Sequence, residues 1–172
     1  MDIIRVLRAV EEAEGKMAAL YKRYEQWFER DVEAGGLFRR LGQQEAAHQH
    51  VLSFEIKMVS QNRNSFGEVN VDPAPIQKFA AAVDLVQKAS TPPTLAEAVR
   101  LALQFEQEAG DEHYCLLLTR QGNPGIEALV KSMHNLRAAN HAHLGELKEF
   151  ALRRGFSPAG GQAVAAAVAP AE

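Results

Sequence analysis

The chain has one cysteine, Cys115, among 172 residues. A lone thiol makes neither an internal disulfide nor a thiolate metal cage. Aromatic residues are scarce, at 7%. No apolar run reaches the ~18 residues needed to cross a bilayer. Positive charge is not in excess either. The formal net charge is −3, so a phosphate-binding surface is not the default expectation. The opening residues, Met1-Asp2-Ile3-Ile4-Arg5, lack the charged-then-apolar pattern of a secretory signal, and Glu11 and Glu12 follow closely. These absences lead to the expectation of a cytoplasmic protein with no membrane and no nucleic acid among its partners.

Alanine, by contrast, is abundant, with 28 residues. Apolar residues make up 47% and charged residues 24%, the balance of a soluble globular domain that leans toward helix. The length suits one domain.

Helix breakers collect at Gly35-Gly36, Asp72-Pro73-Ala74-Pro75, Thr91-Pro92-Pro93-Thr94, Gly122-Asn123-Pro124-Gly125 and beyond Gly155. Between them the apolar residues recur every three or four positions. One face reads Ile3, Leu7, Val10, Glu14, Met17, Tyr21, Tyr24, Phe28. A second reads Leu37, Leu41, Glu45, His48, Leu52, Glu55. A third reads Leu95, Val99, Ala102, Glu106, Ala109, His113, Leu116, opened by the capping box Thr94-Leu95-Ala96-Glu97. A fourth reads Ile126, Leu129, Met133, Leu136, Asn140, His143, Leu147, Phe150, opened by Asn123-Pro124. A shorter amphipathic segment, Ile76 to Ala89, sits in the long connection between the second and third. The pattern predicts an all-α four-helix bundle of two helix hairpins over residues 1–155, with a long crossover carrying the short extra helix. Residues 156–172 read as a flexible Ala/Gly/Pro-rich tail, with seven alanines in its last sixteen positions.

Each long stripe is interrupted near its middle by residue types that ligate metals: Glu14, Glu45 with His48, Glu106, and Asn140 with His143. Residues three apart share a helix face, so each pair can reach one point in the core. A buried carboxylate without a partner costs several kcal/mol or more, and no Lys or Arg lies on the inward stripes nearby. Bound metal resolves that conflict, and a carboxylate-imidazole set suits iron, manganese or zinc.

The heights of these residues make the idea testable. Partners in a helix hairpin sit equally far from its turn. The point midway between Glu106 and the Asn140/His143 pair falls at Pro124, within a strong turn signal. The point midway between Glu14 and the Glu45/His48 pair falls at Arg30-Asp31. A common site therefore requires a turn there, with Asp31 as N-cap and Gly35 and Gly36 inside the next helix. Turning at the glycines would separate the two heights by more than two helical turns. The halves also look duplicated: Leu41-x3-Glu45-x2-His48-x3-Leu52 matches Leu136-x3-Asn140-x2-His143-x3-Leu147, and Glu14-x6-Tyr21 matches Glu106-x6-His113.

On these motifs the chain resembles the rubrerythrin-like family of the ferritin-like superfamily, over about residues 1–155. The resemblance implies two iron ions, held by a glutamate from each of two helices and a Glu-x-x-His pair from each of the others. It also implies peroxide, dioxygen or ferrous iron as substrate. Three departures stand out. Asn140 takes the place of a glutamate, His113 stands where the first half has Tyr21, and there are no paired cysteines for a built-in iron–sulfur domain. An external electron donor is then required.

Other readings of the same residues remain open. Each acid alone could be a solvated stripe edge. Tyr21 reads as a core residue whose hydroxyl can bond a ligand carboxylate, and His113 as a histidine beside the ligands. His50, His134 and His141 fall off the inward stripes, and Cys115 reads as packing. The competing functions are a non-redox bundle holding zinc or a single metal, haem bound between His48 and His143, and a metal-free interaction bundle. Pairing of two copies through outer faces is a further expectation.

Overall fold

The computed structural model describes residues 2–66, 71–109 and 124–156. Within them the chain is helical, with no strand. Helix α1 spans Ile3–Trp27, α2 Val32–Gln61, α3 Ala74–Gln87, α4 Leu95–Glu108 and α5 Pro124–Arg153. A short 3-10 turn covers Arg63–Ser65. No described helix is long and apolar enough to cross a membrane.

The start of α2 lies where the height argument requires it. Asp31 is the N-cap, and its side chain accepts from the Ala34 backbone N–H at 3.1 Å. Gly35 and Gly36 therefore lie inside α2. The Asp31 carboxylate satisfies an orphan backbone donor at the start of a helix whose apolar stripe continues through the glycine pair. The connection from α1 is short, which makes the two helices antiparallel neighbours. Contacts along the pair confirm the direction: Asp2 with Arg63, Glu11 with Ser53, and Tyr21 beside Gly42.

Thr94 and Glu97 form the expected capping box of α4, with the Glu97 carboxylate accepting from the Thr94 backbone N–H at 2.8 Å. Helix α4 ends at Glu108 with Ala109 as its cap. The predicted continuation through His113 and Leu116 lies outside the described residues, as do Cys115 and Asn123. Helix α5 closes with Gly155 at φ +68°. The Phe156 N–H reaches back to the Ala151 carbonyl at 2.8 Å and the Gly155 N–H to Leu152 at 3.1 Å. That six-to-one and five-to-two pair needs a left-handed residue, which glycine adopts at no steric cost. Phe156 also packs on the Phe150 ring, 6.5 Å between centroids. Residues 157–172 lie outside the described set.

Helix α1 packs most closely on α2 and on α3, while α5 packs on α4 and meets α2. Ion pairs between Arg40 and Glu146 and between Arg153 and Glu33 set α5 antiparallel to α2. The apolar core falls into two clusters. One holds Ile3 to Ala13 of α1, Leu52 and Val59 of α2, Ile76 and Ala80 of α3, and Leu129 to Leu136 of α5. The other holds Met17 to Tyr24, Leu37 and Leu41, Val83, Ala98 to Phe105, and Leu147 to Ala151. Between them lies a polar layer: Glu14, Glu45, His48, Glu106, Asn140 and His143 are the buried polar residues of the described chain. Apolar burial on both sides, at about 1.5–3 kcal/mol for each large side chain, is what holds these groups out of water.

Candidate metal centre

Each residue of the layer is delivered by a helix whose apolar flanks fix its height. Ala13 and Met17 bracket Glu14. Leu41 and Leu52 bracket Glu45 and His48. Phe105 precedes Glu106, and Leu136 and Leu147 bracket Asn140 and His143. All these flanking residues are buried, so rotating any helix to release its polar group would expose them.

The side chains converge in two triads. Glu14, Glu45 and His48 place their ligand atoms within 4.8 Å of one another, and so do Glu45, Glu106 and His143. Glu45 belongs to both. Its Oε2 lies 3.2 Å from His48 Nδ1, and its Oε1 lies 2.8 Å from His143 Nδ1. Glu14 Oε2 approaches His48 Nδ1 at 3.3 Å, and Glu106 Oε2 approaches His143 Nδ1 at 3.6 Å. The two imidazoles stack, 5.5 Å between centroids and 20° between planes. One carboxylate thus offers an oxygen to each of two histidines.

The two ends differ in depth. The His48 and Glu14 side chains are 10% and 7% exposed, against 1% for both His143 and Glu106. The Glu14–His48 end is called the outer half below and the Glu106–His143 end the inner half. In the inner half the Tyr21 hydroxyl donates to Glu106 Oε1 at 2.6 Å.

The electrostatics record the crowding. Burial raises the Glu106 carboxyl above its usual range, and the neighbouring Glu45 charge adds to that rise. Burial pushes Glu45 the same way, but its contacts with Glu14, His143 and His48 outweigh it and hold Glu45 well below the usual range. Burial lowers the His143 imidazolium, yet the Glu106 and Glu45 carboxylates overcome it and lift the group to about 10. Burial, followed by the Glu106 and Glu45 charges, pushes the Tyr21 phenol far up, so it remains a donor.

Both ring nitrogens of His143 are buried without a hydrogen-bond partner. The Glu45 oxygen at 2.8 Å is near enough for charge attraction but lies outside hydrogen-bond geometry. Buried polar atoms are normally satisfied. A ring nitrogen and a carboxylate oxygen that face each other without sharing a proton along their line are placed as two ligands of one cation are placed. The group therefore fits a metal on geometry and on donor chemistry: three carboxylates and two imidazoles suit iron, manganese or zinc.

The structure brings together Glu14, Glu45, His48, Glu106, His143 and Tyr21. Asn140 is buried one turn before His143 on α5, which puts its amide in the same layer. His113 lies outside the described residues. His50, His134 and His141 are exposed. Gly42 escaped the sequence reading. A β-carbon there would stand 3.3 Å from Tyr21 Cβ and 3.5 Å from the backbone of Ala18 and Lys22. It lets α2 close against α1 behind the Tyr21 ring. A glycine inside a strong helical period costs ~1 kcal/mol against alanine, which was the available signal of a close approach.

Comparison with known proteins leaves the reading to this geometry: no family model, curated protein or solved structure matches the chain.

Proposed function

We propose that the chain is a ferritin-like four-helix bundle, α1 with α2 and α4 with α5, α3 lying in the crossover, and that its polar layer holds two iron ions. The observation that carries this is the position of Glu45, one oxygen toward His48 and the other toward His143. Glu14 and His48 would hold the outer ion, Glu106 and His143 the inner one, and Glu45 both. Asn140 supplies a neutral donor where a further carboxylate would complete a symmetric set. Two irons there would supply one-electron steps toward peroxide or dioxygen, or the oxidation of ferrous iron itself.

The chain's own residues do the rest. Glu14, Glu45 and Glu106 concentrate negative charge where a cation binds. His48 and His143 add two imidazole nitrogens, which ligate a cation only in the neutral form of the ring. Leu41, Leu52, Leu136 and Leu147 are buried on either side of the layer and exclude bulk water. Cys115 is the single thiol of these residues and cannot form a four-cysteine iron–sulfur centre, so the reading takes its electrons from a donor outside the bundle.

One observation favours a second reading. Asn140 removes a charge from the layer, which weakens its hold on a second ion and suits a structural zinc or a single metal. One experiment separates the two. Protein loaded anaerobically with ferrous iron is mixed with peroxide or dioxygen and followed by visible absorption. The proposal expects a ferric band that an added reductant bleaches through repeated cycles. Stoichiometric zinc without any oxidant reactivity of the iron form supports the second reading, and failure to take up any metal defeats both.

A further inference from the structure

Resting on the two-metal reading, we infer that Glu55 is the entry point for a divalent cation: it receives the ion in the seam between α2 and α5 and passes it along that seam to the outer half. Glu55 lies seven residues beyond His48 on α2, two helical turns or ~10 Å along the axis. It is half-buried, and it is the single acid within residues 46–61. Its carboxylate makes no hydrogen bond or ion pair among the described residues. The other half-buried acids of the described chain, Asp2, Glu11, Glu25, Asp31, Asp84 and Glu146, each have a partner. A partly buried carboxylate kept without a partner carries a desolvation cost, and a cation in transit is the partner that offsets it.

The seam leads from Glu55 to His48. The pairs Glu33–Arg153, Arg40–Glu146 and Glu45–His143 set the register of α2 against α5. Carried on, that register puts Ala139 at the height of His48 and Ser132 at the height of Glu55. Both are small and half-buried, so the α5 wall of the seam is low. On the α2 wall, Val51 stands between His48 and Glu55 and is exposed, as are Phe54 and Met58. The His48 ring faces α5, where it stacks on His143. The other approaches to the outer half are covered. Beside Glu14 and His48 the seam between α1 and α2 is shut: a β-carbon on Gly15 would stand 2.5 Å from Gln49 Nε2. On the far side of α1, Lys16 binds Asp84 of α3 at 2.6 Å.

The test uses the full chain and cobalt(II), with uptake followed by stopped-flow visible absorption and release followed in excess chelator. Glu55→Gln should slow uptake about 3–10-fold, as the loss of a steering charge does. Release should slow by the same factor, because an entry residue lowers the barrier in both directions. Stoichiometry should stay at two ions and affinity within about twofold of wild type, since a charge ~10 Å away is largely screened at 0.1 M salt. Glu55→Asp keeps the charge and should restore the rate. Ala139→Leu fills the seam beside His48, leaves every charge in place and should slow both directions as well. Glu12→Gln is the control: it removes a charge from the α3 side of α1, where Glu12 acts on Lys16, and should leave the rates unchanged.

Wild-type rates in Glu55→Gln overturn the inference and leave the two-metal reading standing. So does a wild-type rate in Ala139→Leu, which places the route elsewhere, and so does equal slowing in Glu12→Gln, which reports net charge alone. Weakened affinity of Glu55→Gln with unchanged uptake also overturns it, because that makes Glu55 a ligand. A wild-type chain that takes up no cobalt removes the two-metal reading and the inference together.

Discussion

Glu45→Gln should abolish the stabilising effect of metal on both halves at once, whereas Glu14→Gln or Glu106→Gln should abolish one half each. The reasoning starts from one side chain. Glu45 is the residue common to both triads, and its oxygens point to different histidines. Glutamine keeps its volume, so core packing is preserved while the charge and one oxygen are lost. An ion present at one hundred times its dissociation constant stabilises the fold by about 2.7 kcal/mol. Two such ions together then contribute about 5 kcal/mol. In a chain of this size each kcal/mol moves the midpoint by about 2–4 °C. Wild type should therefore melt about 10–20 °C higher with metal than with chelator, and each single-half variant should gain about half of that. Glu45→Gln should show almost no rise. Calorimetric or circular-dichroism melts with and without manganese or zinc give these differences directly. A Glu45→Gln chain that keeps the full metal-induced rise refutes the shared-ligand reasoning. If Glu14→Gln alone removes the whole rise, the layer holds one ion.

Further expectations concern charge, turn and cap. Asn140→Glu restores a carboxylate to α5 and should tighten the second ion, measured by competition with a chelator; unchanged stoichiometry and affinity would place Asn140 outside the centre. In the metal-free protein the imidazolium of His143 is raised to about 10. The stability it contributes is then complete below its usual 6.5 and lost as pH climbs toward 10. Denaturant melts in chelator should show declining stability over that window, and a rise there contradicts the assignment. Gly155→Ala forces a β-carbon onto a left-handed residue and should cost about 1 kcal/mol in a chemical melt. Asp31→Ala removes the α2 cap and should cost about 1 kcal/mol as well; a neutral result in either case would mean the helix end frays without consequence.

Much of the layer was legible because burial and helical period act locally. Glu14, Glu45 with His48, Glu106, and Asn140 with His143 each interrupt an otherwise apolar stripe, and helix geometry alone puts them on inward faces. Matching their heights then located the turn at Asp31 against the pull of Gly35-Gly36, which as a pair read like a break. The division of Glu45 between two histidines was not legible. It depends on how closely α2 approaches α5, and sequence spacing ties Glu45 only to His48. The same limit hid Gly42, whose meaning is an interhelical distance. Tyr21 could be read as a possible partner of a carboxylate, but its choice of Glu106 on α4, 85 residues away, is a tertiary fact. Whether His113 completes the duplication is a question about residues outside the described set.

The central claim is that two cations share Glu45. Anomalous diffraction from crystals of the chain soaked with manganese tests it most directly. The account predicts two peaks about 3.5–4 Å apart, one between Glu45 and His48 and one between Glu45 and His143. A single peak, or peaks away from Glu45, would contradict it.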